Sequence, residues 1–103
     1  MFKTFFHKLI WDGETVDLSK HFAILQREES LPFAPTPGMT FFWGTDKPAL
    51  ATEVRWDFAE QRFACKAEDE FAHTIGIDDY DFDWLLKNAQ DSGWTLISKQ
   101  GYP

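Results

Sequence analysis

The sequence predicts an α+β domain: an antiparallel sheet of about four or five strands packed against a C-terminal helix and an N-terminal helix. Three observations predict it. Residues 53–68 alternate apolar and polar side chains on either side of a short polar connection. Residues 79–93 carry apolar side chains at helical spacing between an aspartate and a glycine. Phe2, Phe5, Phe6, Leu9 and Ile10 fall at i, i+3, i+4, i+7 and i+8. A chain of 103 residues is expected to form a single domain over 1–103. Its 44% hydrophobic content, with eleven Phe and five Trp, can furnish one core and is too apolar for a disordered chain.

Residues 2–10 read as an amphipathic helix, with Lys3, Thr4, His7 and Lys8 on its polar side and Gly13 as a stop signal. The Asp12-Gly13 pair could instead turn a hairpin between "HKLIW" and "ETVDL". The five-residue apolar stripe favours the helix. Two lysines are too few to hold such a helix on an anionic membrane surface.

Residues 14–20 read as loop and 21–30, "HFAILQREES", as a strand. The segment "LPFAPTPG" follows. Its Pro32-Phe33-Ala34-Pro35 matches a polyproline ligand pattern, but Glu28, Glu29 and Ser30 precede it and large apolar residues flank the prolines. Stiff prolines and a Thr-Pro-Gly type II turn make it a connector into a strand over 39–43. Residues 45–48 are turn material, because Lys47 precedes a proline.

Next comes a hairpin. Val54, Trp56 and Phe58 alternate with Arg55 and Asp57, and Phe63, Cys65 and Ala67 alternate with Ala64, Lys66 and Glu68. Residues 69–78 read as loop. The C-terminal helix starts at Asp79 as N-cap, buries Phe82, Leu85, Leu86 and Ala89, and stops at Gly93. Asp81 and Asp83 sit in its first turn, where the helix dipole favours negative charge. Residues 94–98 read as a last strand and 99–103 as a tail.

Charge narrows the function. Seventeen acids against ten Lys plus Arg leave a net charge of −7. That excludes direct binding to nucleic-acid phosphates, which needs clustered cations, and suits a basic protein partner. The lone Cys65 permits no intramolecular disulfide. "MFKTFFHKLIWDG" lacks a signal-peptide cleavage pattern, and no run approaches the ~18 apolar residues of a membrane span. A cytoplasmic protein without a membrane role is expected.

Chemistry-bearing patterns are sparse. Cys65 falls in phase with the apolar face of the hairpin, as a buried inert thiol does. His7, His21 and His73 have no metal-ligand spacing. Asp79, Asp81 and Asp83 match the start of a calcium loop, but Trp84 stands where that loop needs glycine and Gln90 where it needs a bidentate glutamate. No cofactor and no metal site are expected, and the reading leans away from an enzyme. Trp84 lies beside the buried stripe of its helix, so it is placed as an exposed anchor. Asp79, Asp81, Asp83 and Trp84 together form the expected contact surface. The expected function is a non-catalytic protein-interaction or inhibitor-type domain. The alternative is a small-ligand or metal-binding domain with an aromatic-lined pocket.

Overall fold

The computed structural model describes residues 1–44, 48–75 and 78–101, with the backbone alone over 73–75 and 78–80. The elements run β1 (Phe2–Trp11), β2 (His21–Leu31), β3 (Thr40–Phe41), β4 (Ala49–Asp57), β5 (Arg62–Ala67), β6 (Glu70–Phe71), β7 (His73–Ile75), β8 (Asp78–Tyr80), α1 (Phe82–Asp91) and β9 (Thr95–Gly101). Seven strands form one curled mixed sheet in the order β3-β4-β5-β1-β2-β9, with β6 continuing beside β1. β7 and β8 form a separate two-stranded ribbon.

This overturns the expected α+β architecture. The molecule is mostly β with one short helix, and its sheet is not purely antiparallel. The predicted N-terminal helix is strand β1, the centre of the sheet. β1 pairs antiparallel with β2 from Phe2↔Leu31 to Trp11↔Phe22, and parallel with β5 and β6 on its other side. Thr4, Phe6, Lys8 and Ile10 are buried on its inner face, while Phe5, His7 and Leu9 are half-buried on its outer face. A strand covered on both faces carries apolar residues at adjacent positions. Those positions also fit a helical stripe, and periodicity alone does not separate the two.

The other differences are smaller. The expected loop over 69–78 contains β6, β7 and the start of β8. The strand expected over 39–43 is a strand only at Thr40 and Phe41, which pair with β4, while Met39 accepts a single hydrogen bond from Ala51 of β4. The last strand extends to Gly101, so most of the expected tail lies in β9. The expected turn over 45–48 falls on residues of which only Pro48 is described.

The 53–68 hairpin forms as β4 and β5, from Glu53↔Lys66 to Asp57↔Arg62, with a bulge between Ala51 and Glu53. The proline segment turns at Thr36-Pro37-Gly38-Met39, where the Met39 amide donates to the Thr36 carbonyl (3.3 Å) and Gly38 has φ of 90°. That is the type II geometry its sequence requires.

α1 lies across the inner face against β1 and β9. It buries Leu85, Leu86 and Ala89, and Phe82 packs against the same core. Its N-cap is Asp81, not Asp79. The chain leaves the helix through Gly93, whose φ is 110°. A Cβ there would sit 2.9 Å from Arg27 Nη2, so glycine is required twice over.

Under the helix lies an aromatic interior. Phe6 meets Phe41 (4.9 Å between ring centres) and Trp43 (5.4 Å), and Trp43 meets Trp94 edge-on (5.8 Å). Two cations are enclosed with them. Arg27 lies 3.9 Å over Trp43, pairs with Glu29 at 2.7 Å, and donates to the Ser92 carbonyl at 3.0 Å. Lys8 lies 4.4 Å over Trp94 and pairs with Glu70. The Lys8 side chain is 2% exposed, so the carboxylate and the ring face replace the water it has given up.

Candidate functional site

β1 carries the chain to Asp12, where a closed loop over residues 12–20 begins. Sequence alone says little of this loop except that it is polar. Its shape comes from internal hydrogen bonds. The Gly13 amide donates to Ser19 Oγ (3.0 Å), and Ser19 Oγ donates to the Thr15 carbonyl (2.7 Å). Asp12 closes the base: the Lys20 amide donates to Oδ1 and His21 Nδ1 meets Oδ2, both at 2.8 Å. A Cβ on Gly13 would stand 2.7 Å from the Leu18 carbonyl oxygen, so the loop closes this tightly only over glycine. Val16 and Leu18 are left facing solvent, Leu18 at 68% exposure.

The start of α1 lies beside this loop. Between them is a groove of about 310 Å³. Leu18, Ala72 and Phe82 supply its apolar lining, and Asp12, Glu14 and Asp81 supply its charge. Burial works to raise the Asp12 carboxyl, but hydrogen bonds from His21 and Lys20 outweigh it and hold the group below its ordinary value of 3.8. Asp12 therefore stays ionised across the neutral range. Among the described residues Glu14, Asp17 and Asp83 take part in no ion pair.

The residues singled out by sequence divide here. Asp81 caps the helix, accepting the Trp84 amide at 2.7 Å. Asp83 follows, exposed, in the first turn. Trp84 is 43% exposed. Asp79 lies apart from the cap, in β8 opposite Thr74, and only its backbone is described.

A second depression of about 270 Å³ lies over the Lys8–Glu70 pair. Two of its three acids are engaged within the fold: Glu70 pairs with Lys8, and Asp69 meets Lys66 at 2.8 Å and accepts from Trp11 Nε1 at 3.1 Å. Only one aromatic ring lines each depression, Phe71 here and Phe82 in the groove. Neither resembles an aromatic-lined ligand pocket.

The other chemistry-bearing residues are dispersed. Cys65 is fully buried on the inner face, and burial pushes its thiol up to about 11, away from nucleophilic use. His7 lies on the outer face, where burial, then Lys66 and Arg55, hold its ring below the ordinary 6.5. Among the described residues no group of three His, Cys, Asp or Glu side chains converges as a metal site would require. Nor is any described helix long and apolar enough to cross a membrane.

A further group of residues went unrecognised as exposed. Trp56, Phe58 and Phe63 were expected on a buried hairpin face. Instead Phe58 is 78% and Trp56 40% exposed, and Phe2 joins them at 42%. The rings touch one another: Trp56 meets Phe63 at 5.0 Å, Phe58 at 6.2 Å, and Phe2 meets Phe63 at 6.1 Å. The ten-residue helix spans about 15 Å, whereas ten-residue β1 spans about 33 Å, so one end of the inner face lies beyond its reach. Only the lengths of the elements could have signalled this. No protein family, no curated protein and no solved structure matches the chain.

Proposed function

We propose that this chain is a non-catalytic protein-binding domain of inhibitor type, and that it takes a basic, partly apolar segment of its partner into the groove between the 12–20 loop and the start of α1. One observation carries the reading: Glu14 and Asp81, which take part in no ion pair among the described residues, line a groove whose apolar lining is Leu18, Ala72 and Phe82, and Trp84 is exposed two residues further along the helix. Acidic rims steer a cationic partner and set the rate of encounter, while the apolar floor and an exposed Trp supply anchors. Asp81, Asp83 and Trp84 are assigned to the contact.

The test is capture by the tagged protein from lysate of its source, read by mass spectrometry at low and moderate salt. A single basic partner held at low salt and released at moderate salt is expected. The combined variant Asp81→Asn, Asp83→Asn, Trp84→Ala, which keeps a good N-cap at 81, should then retain the fold and lose that partner. Leu18→Arg, at an exposed position, should do the same. Capture unchanged in both variants overturns the site. A blank with the native protein, at both salts, overturns the function.

A further inference from the structure

The hairpin end poses a separate problem. β4 is bordered on its outer side only at its start. Thr40 and Phe41 oppose Leu50 and Ala49, and Ala51 exchanges hydrogen bonds with Gly38 and Met39, both 2.8 Å. From there to Asp57, no strand among the described residues lies against that side. Val54 and Trp56 face the same side of the sheet as Ala51, so strand geometry turns their N–H and C=O groups toward the same open edge. An edge of this kind is a template for another strand.

We infer that the occupant of this edge is a second copy of the chain, paired antiparallel about a twofold axis at Trp56. The argument is complementarity of the strand with itself. Centred on Trp56, the register sets Val54 opposite the second copy's Phe58, Trp56 opposite Trp56, and Arg55 opposite Asp57. Trp56 then meets Trp56, Val54 meets the exposed Phe58 that opens the turn just after β4, and both outer-face pairs join opposite charges. Sliding the strand to centre on Arg55 sets Arg55 against Arg55 and Glu53 against Asp57, which repel. Centring on Val54 sets Trp56 against Thr52, within the bulge. One register alone satisfies both faces without using the bulge, and it covers the two most exposed rings of the hairpin. Asp57 is fixed for this role, since its Oδ1 accepts the Ala59 amide at 3.0 Å and the Glu60 amide at 3.2 Å. The inference does not depend on the acidic groove, which lies beyond the opposite end of β1.

Sedimentation of the native chain from about 1 µM to about 1 mM tests it, with association into dimers and no larger species expected. Arg55→Glu replaces two attractions by two repulsions and should raise the dimer dissociation constant about tenfold or more. Because Arg55 is exposed, circular dichroism should be unchanged. Trp56→Cys should yield a disulfide-linked dimer under mild oxidation, whereas Glu60→Cys, in the hairpin turn, should not. Buried Cys65 does not compete. A native chain that stays monomeric throughout, or a dimer indifferent to Arg55→Glu, overturns the proposal.

Discussion

Two groups of aromatic rings share the inner face of one sheet and have opposite environments. Phe6, Phe41, Trp43 and Trp94 lie under α1 and the proline segment, with the cations of Arg27 and Lys8 enclosed among them. Phe2, Trp56, Phe58 and Phe63 lie where the sheet outruns its cover. The residue types are the same, so composition does not decide their role. The first group holds the fold together. The second leaves apolar surface available to something outside it.

The largest expected effect separates the two groups directly. Trp94→Ala should cost about 3–5 kcal/mol in denaturant unfolding, because it empties a buried site and strips the face from Lys8. Trp56→Ala should cost less than about 1 kcal/mol. Comparable losses at both positions would break the distinction. Trp94→Phe should cost much less than Trp94→Ala, since it removes an indole N–H that is buried without an acceptor.

Next in size is Lys8→Ala. It leaves the largely buried Glu70 carboxylate unpaired and should cost about 3 kcal/mol. Adding Glu70→Leu to Lys8→Met should recover most of that loss. If the double variant remained as unstable as Lys8→Ala, the ring contact rather than the ion pair would be the main term.

Asp81→Ala should cost about 1 kcal/mol as a lost N-cap, and Asp81→Asn only a fraction of it. Thermal melts of the pair separate capping from the charge proposed for partner binding.

The smallest effect is with pH. His7 is held below its ordinary 6.5, first by burial and then by Lys66 and Arg55, so the unfolded chain takes up the proton first. Its contribution to stability is full above that value and is lost as pH falls through the lowered folded-state pKa. Asp12, also lowered, acts in the same direction only below 3.8. His7→Gln should flatten the fall in stability on the acid side of neutrality. A fall that persists unchanged in this variant would assign it to another group.

Local chemistry was legible where neighbours in sequence suffice to set it. The Thr36–Met39 turn needs only a proline and a glycine in adjacent places. The β4–β5 hairpin follows from alternation that one strand imposes on the next. Phe82, Leu85, Leu86 and Ala89 define a helix whose ends are limited by an aspartate and Gly93, although the cap fell on Asp81 because 78–80 pair with 73–75 instead. Of the groove's lining, Asp81 and Phe82 could be placed at the helix start in advance, since a first turn and a buried stripe are local features. Asp12, Glu14 and Leu18 could not, since their loop meets α1 only in space.

Decisions about the whole sheet depended on which strands came together. Phe2–Ile10 satisfies a helical stripe and a two-faced strand equally well. Pairing with β2 on one side and β5 on the other selects the strand, because a central position satisfies the backbone along both of its edges. The same assembly buried Lys8 by bringing Glu70 and Trp94 to it from far along the chain. It also exposed Trp56 and Phe58, whose alternation pointed to a core, because the single helix is too short to roof the sheet. Alternation tells which side chains share a face. Whether that face is covered depends on the length and placement of another element, and that is a property of the folded molecule.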